Sequence, residues 1–476
     1  MKKSFLTFLS SLLMINMGVF AQMSGTYNNY STFAAAIEAV TTAGVSGEVI
    51  FEMSPGTYNE FVTIGEIPGV SETNRVRFRG MGNDNQQVIL TSNAGYTEKP
   101  TIKLDNADYI SFENMTVTTT SSNYANLVVL INHVNHIYFD NVAFLGIEVT
   151  ANTTYNDKHL VYDASRGVTD SDIRFTNCSF NEGYIALYMS GENVTIHDEG
   201  LVVENCTFNN QYAKSIYMTF QDHPIIRGNV ITNNIDLKNG YQGIDGYRCY
   251  HNGVVENNIV NIEYTQCNAT GIELRPAIGD SSNYFVVRNN MVKVKSNATS
   301  NYCYKISFNA GEYINFAHNT GMLVGQGSGS TLFVDNNVSK INFYNNLLVN
   351  NMSGQVIWIK STTATNRVSD YNRIALSSNA KVGKYGTTQH ATLDEWRSAT
   401  GYDANTALSS PSFASANDLH LTAPDGLLVA NPLSYVTHDI DGNSRSNTPC
   451  AGADEYTNTN MPPVVAQQSS AITFNE

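Results

Sequence analysis

Charged residues are scarce in this chain of 476 amino acids, where they make up 14% of the sequence, against about a quarter in an average globular protein. Hydrophobic residues supply 42%, which argues against a disordered chain, because disorder goes with low hydrophobicity and high net charge. The 27 basic residues are outnumbered by 42 acidic ones, and no run of Lys or Arg follows the first three residues. We therefore expect no nucleic-acid partner, since such binding depends on neutralising phosphates. The six cysteines include no Cys-x-x-Cys pair, which excludes a zinc ribbon and a thioredoxin-type motif.

The N-terminus has the three parts of a secretory signal peptide. Lys2 and Lys3 precede an apolar run over residues 5–20, and Ala21 ends a small-residue cleavage site ahead of Gln22. Polar residues interrupt this run, whereas a transmembrane helix needs roughly 20 clean apolar residues. We expect residues 1–21 to be removed on export, no membrane span, and a periplasmic, cell-surface or extracellular location.

Short apolar triplets recur at intervals of 24 to 34 residues and alternate with a second strand motif that contains an Asn turn. Each period therefore holds two or three short strands and no helix. Heptads and the signatures of leucine-rich and helical repeats are absent. Such a unit buries its apolar face only by stacking on its neighbours, which predicts an all-β parallel β-helix of about twelve coils. The triplets begin at Ile102, Leu127, Leu160, Leu187, Ile216, Ile244, Ile272, Ile306, Leu332 and Val356.

A column of asparagines is predicted at the tight turn between strands, where a residue that tolerates left-handed backbone geometry is needed. Stacked one per coil, their side-chain amides are expected to hydrogen-bond up the column as a ladder. Cys178 and Cys206 take equivalent inward positions on successive coils, which favours two stacked buried thiols and leaves a disulfide open. The asparagines are Asn114, Asn141, Asn177, Asn205, Asn257 and Asn289.

Both ends of a β-helix expose its core and need covers. An apolar face over residues 32–42, preceded by Ser31 as cap, predicts a helix at the N-terminal end. The coil signal fades after residue 375, and Thr392 with Glu395 forms a capping box for a second short helix. We divide the chain into a signal peptide (1–21), a β-helix with its N-terminal cap (22–375), a C-terminal closing segment (376–456) and a flexible tail (457–476).

The stacked coils and Asn turns resemble the right-handed β-helix proteins of the pectate-lyase-like superfamily, over most of residues 22–456. The opening stretch Pro55-Gly56-Thr57-Tyr58 is similar to the start of pectin methylesterases, and Asp439-Ile440-Asp441-Gly442 looks like the closing segment of secreted bacterial β-helix proteins. The resemblance implies a single-stranded right-handed parallel β-helix. It implies no site residue, because the Asp-Phe, Asn-Thr-Asp, Gly-His-Gly and Trp-x-Asp-His motifs of the pectin-degrading families are missing.

The candidate catalytic residues lie on the outward face of the middle coils. Asp245 and Glu273 each follow an inward Ile on successive coils, which predicts neighbours about 4.8 Å apart, with Tyr217 one coil earlier. Two close carboxylates raise each other's proton affinity, as the acid/base pair of a glycosidase requires. Arg275 and Lys305 are expected beside them. They would either neutralise a uronate, with the carboxylates holding Ca²⁺ as in a lyase, or compensate the acids in a surface ladder.

The same outward face carries Tyr188, Tyr217 and Tyr247, which we interpret as sugar-stacking rings. One function is a secreted carbohydrate-active enzyme, a lyase or glycoside hydrolase, that binds and cleaves an extracellular polysaccharide as a monomer. The alternative is a non-catalytic surface or adhesin-like β-helix scaffold. The missing family motifs favour the scaffold, whereas the clustering of charged and aromatic residues favours the enzyme. Calcium is the cofactor that a lyase would take, and no metal ligand is assigned.

Two further motifs have both a functional and a structural interpretation. His223 and His251 each fall seven residues after an inward Ile, so they are expected to stack at neighbouring turns beside Asp222. Imidazoles and a carboxylate suit a metal ion or a proton relay, but solvated turn histidines are the favoured interpretation. Residues 439–443 have the composition of a Ca²⁺ loop without the Glu and spacing of an EF-hand, which predicts a Gly-containing turn.

Overall fold

The computed structural model describes residues 21–456, except for residues 83, 94–98, 125, 151–157, 236–239, 264–265, 308–311, 337, 364–365 and 424–427. The predicted tail (457–476) and all of the predicted signal peptide except Ala21 lie outside the described residues. Among these residues, neither helix is long and apolar enough to cross a membrane.

The described residues form 38 strands and two helices, which we number in chain order. The helices are α1 (Phe33–Ala43) and α2 (Leu393–Thr400). The strands of the first half are β1 (Met23–Tyr27), β2 (Val45–Met53), β3 (Gly56–Asn59), β4 (Val62–Ile64), β5 (Val76–Gly80), β6 (Val88–Ser92), β7 (Ile102–Asp105), β8 (Ile110–Thr119), β9 (Val128–Ile131), β10 (Asn135–Leu145), β11 (His159–Asp163), β12 (Ser171–Thr176), β13 (Ser179–Asn181), β14 (Ile185–Ser190), β15 (Asp198–Glu199), β16 (Val202–Glu204), β17 (Thr207–Asn209), β18 (Lys214–Asp222) and β19 (Ile225–Arg227). Those of the second half are β20 (Val230–Asn233), β21 (Tyr241–Tyr250), β22 (Val254–Glu256), β23 (Ile259–Glu263), β24 (Ala269–Ile278), β25 (Phe285–Arg288), β26 (Met291–Lys295), β27 (Asn301–Ile306), β28 (Ile314–Ala317), β29 (Thr320–Val334), β30 (Ile341–Tyr344), β31 (Leu347–Ile359), β32 (Arg367–Asp370), β33 (Arg373–Leu376), β34 (Ala380–Tyr385), β35 (Thr388–His390), β36 (Ala407–Leu408), β37 (Phe413–Ser415) and β38 (Asp418–Leu421).

Nearly all strands pair in parallel with the equivalent strand of the next turn, which produces three sheets that run the length of a solenoid of about 12 turns. Sheet A holds the apolar triplets, from β4 through β18, β21 and β24 to β34. Sheets B and C meet at the Asn turn, and long strands such as β8 and β10 bend at that turn and contribute to both. The fold predicted from the triplet spacing is confirmed.

The core is built from columns of identical inward side chains. Five phenylalanines of sheet B stack with ring centroids 5.1 to 5.5 Å apart, close to the spacing of neighbouring strands. All of these rings are fully buried, so each turn covers the apolar face of the one before. The column consists of Phe51, Phe78, Phe112, Phe139 and Phe175.

The six asparagines predicted at the tight turn all adopt left-handed backbone geometry, with φ between 52° and 56°. The ladder predicted on them is wrong in position. Among these six, Asn141 donates to Asn114 over 2.9 Å, but Asn177 donates to Asp140 instead. A left-handed residue points its side chain away from the core here, whereas the residue that follows points inward, where an amide has no water to compete for it.

The continuous ladder occupies that following position over six successive turns. Each side-chain Nδ2 donates to the Oδ1 of the next asparagine over 2.9 to 3.2 Å. Each Oδ1 that accepts also receives a backbone N–H of the turn before, so one side chain satisfies several buried groups. We call this set the corner ladder: Asn229, Asn258, Asn290, Asn319, Asn346 and Asn372.

Cys178 and Cys206 occupy the same inward position on the two turns before the ladder begins. Both are buried and unbridged, and their Sγ atoms lie 3.4 Å from the carbonyl oxygens of Phe139 and Phe175. The backbone N–H of Cys206 donates to Asn229 over 2.9 Å, which joins the thiols to the ladder. Burial raises the pKa of the Cys178 thiol well above its ordinary value, so these cysteines are packing residues.

Helices cover the two ends of the coil. Thr32, and not Ser31, caps α1 by accepting the N–H of Ala35, and the buried face of the helix joins the core. The predicted capping box of α2 is present, and Gly401 ends the helix in left-handed geometry. Trp396 of α2 is fully buried against Gly383 of the last sheet A strand.

The segment after α2 packs along the side of the coil. Leu419, Leu421, Leu428 and Ile440 form a second apolar cluster with outward residues of sheet C, such as Met322. Residues 439–443 form a turn in which Gly442 has φ 81° and Asp439 accepts the backbone N–H of Asn443 over 2.8 Å.

Candidate functional site

One outward position of sheet A carries a row of aromatic and charged side chains, one per turn, and we call this row the outer column. Its residues pair in register from strand to strand, so neighbours lie about 4.8 Å apart. Three tyrosines precede two carboxylates and a lysine, and two aromatic rings and a second lysine follow. The column consists of Tyr162, Tyr188, Tyr217, Asp245, Glu273, Lys305, Phe333, Trp358 and Lys384.

Asp245 is fully buried although it lies on the outward face. Arg275 clamps it with two hydrogen bonds, from Nε to Oδ1 over 2.9 Å and from Nη2 to Oδ2 over 2.6 Å. Lys214 pairs with the same carboxylate, and its Nζ lies 3.9 Å from the centroid of the Tyr217 ring. The two cations cover the carboxylate and exclude water from it.

Glu273 is 3% exposed and has partners on both neighbouring turns. Lys305 donates to its Oε1 over 2.8 Å, and the Ser307 hydroxyl donates to the same oxygen over 2.8 Å. Gln242 donates to Oε2. Arg275 bridges the two carboxylates, since its Nε also lies 3.9 Å from Glu273 Oε1.

These five charged residues form the ionic centre of the outer column: Lys214, Asp245, Glu273, Arg275 and Lys305. Three cations face two carboxylates, which leaves one positive charge on a chain whose net charge is −15. Burial raises the pKa of Glu273, but Lys305 and the hydrogen bonds outweigh it and hold that pKa below its ordinary value. Burial also lowers the pKa of Lys214, and Asp245 partly opposes this shift.

The three predicted sugar-stacking tyrosines lie next to the ionic centre. Tyr188 and Tyr217 pack edge to face with ring centroids 5.0 Å apart, and both are half-buried. Burial and the nearby Asp245 raise the pKa of Tyr217 to about 12. Tyr247 pairs in register with Arg275, whose guanidinium carbon lies 5.5 Å from the ring centroid. All seven candidate residues therefore form one contiguous cluster on the outward side of sheet A, in which Asp245 and Glu273 are buried.

Lys214 and Gln242 were not predicted from the sequence. Strict alternation places Lys214 and Tyr217 on opposite faces, because they are three residues apart. The structure has two consecutive buried residues between them, Ser215 and Ile216. That irregularity turns Lys214 outward and recurs at Gly243 on the next turn, where an added Cβ would lie 2.7 Å from the carbonyl oxygen of Gly271.

A groove of about 470 Å³ lies between sheet B and the C-terminal segment, with Arg227, Glu256 and Arg288 in its wall and residues 436–439 at its rim. Glu256 forms ion pairs with both arginines, from Nε of Arg227 to Oε1 over 2.7 Å and from Nε of Arg288 to Oε2 over 2.5 Å. Arg288 also donates to the backbone oxygen of Tyr435, so these charges attach the C-terminal segment to the coil.

No protein-family model matches this sequence, and a search of curated proteins finds no match. Among solved structures, the Dettilon tailspike protein aligns with a TM-score of 0.46 and 12% identity over 76% of this chain and 66% of the tailspike chain. Rice weevil pectin methyl esterase aligns with a TM-score of 0.32 and 14% identity over 54% of this chain and 83% of its own. A surface adhesin of Streptococcus pneumoniae aligns with a TM-score of 0.39 and 13% identity over 74% of this chain and 86% of the adhesin chain.

All three TM-scores lie below 0.5, so these matches carry no argument about this chain. The pairing of its own strands shows a parallel β-helix of about 12 turns.

Proposed function

We propose that this chain is an exported protein that binds an extended extracellular polysaccharide along the outer column, with an acidic sugar at Arg275 and Lys305. The predicted signal peptide supports export. Half-buried rings at Tyr188, Tyr217 and Trp358 supply apolar faces on both sides of the ionic centre. A linear polymer suits such a row, because the turns of the solenoid repeat at a constant spacing.

The positive charge left in the ionic centre is the observation that carries the acidic-sugar assignment. Arg275 and Lys305 keep about a quarter of their side-chain surface exposed, at 26% and 27%, while the carboxylates beneath them are covered. A carboxylate ligand therefore meets cations first. Charge-assisted hydrogen bonds of this kind are stronger than those between neutral groups.

Cleavage is the second candidate function, and two carboxylates on neighbouring turns favour it. An acid/base pair needs one carboxyl group that is still protonated near neutral pH. The lowered pKa of Glu273 opposes that role, and the Arg275 clamp fixes Asp245. We therefore favour binding over cleavage, and the acid/base roles of Asp245 and Glu273 stay predictions.

A panel of neutral and uronate-containing polysaccharides tests both functions in one experiment. We expect the purified chain to bind a uronate-containing polymer, and Lys305→Ala to weaken that binding by about tenfold, the scale of one lost charged contact. Tyr188→Ala should weaken binding of any polymer that the chain takes. Reducing ends and the absorbance of unsaturated products should stay at background throughout.

Lys340→Ala is the matched control. Lys340 pairs with Glu312 over 2.8 Å and lies 4.3 Å from the Tyr313 ring centroid, but it is outside the outer column. Binding by this variant should equal that of the wild type. Equal losses in both lysine variants, or no binding to any polymer, would refute the proposal. If the wild type releases products and Glu273→Gln does not, cleavage is the function and the preference for binding alone is wrong.

A further inference from the structure

Three successive turns bring five side chains with metal-ligating atoms to one corner of the solenoid. His197 and Glu199 come from the first turn, Asp222 and His223 from the second, and His251 from the third. Glu199 pairs in register with Asp222, and His223 donates its backbone N–H to Tyr250, one residue before His251. The corner lies at the far end of β18 and β21, five residues or more along each strand from the outer column.

Asp222 belongs to both groups of possible metal ligands at this corner. Its Oδ1 lies 2.6 Å from Nδ1 of His251 and 3.1 Å from Nδ1 of His223. The two imidazole rings stack with centroids 5.5 Å apart and an angle of 27°. Ligand atoms lie within 4.8 Å of one another both in the triad Asp222, His223, His251 and in the triad His197, Glu199, Asp222.

Burial and chemistry both suit an ion here. The Asp222 side chain is 8% exposed, whereas His223 and His251 are 51% and 48% exposed, which gives a buried anchor with an open side. Imidazole nitrogens and carboxylate oxygens are ligands of Zn²⁺, whose tetrahedral bonds of about 2.0–2.1 Å place donor atoms about 3.3 Å apart. The donor atoms of the triad Asp222, His223 and His251 lie within 4.8 Å of one another, which exceeds that spacing by at most about 1.5 Å.

His197 supplies a separate observation. Its Nδ1 is buried and has no hydrogen-bond partner among the residues that the structure describes. A buried polar atom without a partner costs free energy, and a ring nitrogen of His197 lies within 4.8 Å of ligand atoms of Asp222 and Glu199. The two carboxylates of the corner match the charge of a divalent ion.

We propose that this corner binds one divalent transition-metal ion of the zinc class through Asp222, His223 and His251, with one of the adjoining residues His197 and Glu199 as the fourth ligand. The ion would add a further link between turns that already meet through side-chain hydrogen bonds, from Gln221 to Asp198 and between His251 and Asp222. The sequence favoured solvated turn histidines, and His197 and Glu199 were not predicted to lie at this corner. This site is independent of the polysaccharide proposal and has its own test.

Titration of the metal-stripped full-length chain with ZnCl₂ in a calorimeter tests the site. We expect one equivalent to bind with a Kd of about 1 μM or tighter. His223→Ala and His251→Ala should each weaken it at least about tenfold, the effect of losing a ligand or its support. Zinc should also raise the thermal unfolding midpoint of the wild type, because it binds only the folded corner.

His136→Ala is the matched control. His136 is also a turn histidine with left-handed geometry, φ 54°, and its Nδ1 lies 2.7 Å from Asp172 Oδ2. It belongs to neither of the two triads of the proposed site. This variant should bind zinc like the wild type. Circular dichroism confirms that each variant is folded. The site is refuted if zinc does not bind, if binding survives in the double variant His223→Ala/His251→Ala, or if His136→Ala weakens it equally.

Discussion

The corner ladder and the outer column are both rows of side chains, one per turn, but they differ in composition. The ladder repeats one neutral residue over six turns, and its members are at most 1% exposed. The outer column passes from tyrosines to charged residues and back to aromatic rings, and three of its residues belong to the ionic centre. Both rows run in register along the same solenoid, so position alone does not explain the difference.

The chemistry of each group explains it. An amide carries a donor and an acceptor, so identical amides can stack without limit and satisfy one another. Identical charges on neighbouring turns repel, so a charged row must alternate in sign or place cations beside its carboxylates. Repetition therefore marks the scaffold, and the place where repetition stops marks the surface where function should be sought.

Removing one amide from the corner ladder should have the largest effect on stability. Asn290 donates to Val255 and Asn319 and accepts two hydrogen bonds from Asn258, all buried. Asn290→Ala should lower the free energy of unfolding in urea by about 4 kcal/mol, because each buried group left unsatisfied costs about 1–3 kcal/mol. Asn342→Ala is the control, since it removes one partly buried bond to Asn315. Similar losses in the two variants would contradict the scaffold role of the ladder.

Breaking the ionic centre should have the next largest effect. Asp245→Asn leaves Arg275 and Lys214 without their buried carboxylate, which should cost about 3 kcal/mol in the same urea titrations. An exposed ladder of ion pairs would lose less than about 1 kcal/mol of unfolding free energy. We expect the larger loss because Asp245 is completely buried. Lys360→Ala is the control, because it removes the ion pair with Asp335, in which the lysine side chain is 44% exposed. Its loss of unfolding free energy measures the worth of a surface ion pair in this protein. A loss no greater than that value would show that the centre is a solvated ladder.

The smallest expected effect is on the pH dependence of stability, which should differ between the charged residues of the ionic centre and the neutral amides. The pKa of Glu273 is lowered in the folded chain, so its contribution is complete above the unfolded pKa, about 4.3. That contribution is lost as the pH falls through the folded pKa. Wild-type stability should therefore decline more steeply below about pH 4.5 than that of Glu273→Gln. Asn342→Ala should run parallel to the wild type, since amides do not titrate, and parallel curves for Glu273→Gln would contradict the charged state assigned to Glu273.

Much of the candidate site could be predicted because register propagates through a parallel coil. The residue after each inward Ile keeps its place from turn to turn, so Tyr217, Asp245 and Glu273 were correctly expected to be neighbours. The left-handed asparagines were predictable for a similar reason, since few residues tolerate that geometry. Lys214 was missed because Ser215 breaks the alternation, and His197 because it lies outside the repeated motifs.

The sequence by itself determined the fold, the number of turns and the register, because each coil repeats the same inward pattern and buries it only against another coil. Only the tertiary structure decided which side chains are covered. It placed the amide ladder one residue after the left-handed turn, and it buried Asp245 and Glu273 beneath three cations. Burial and the pairing of charges depend on the distances between side chains of neighbouring turns, which lie about 30 residues apart in the chain.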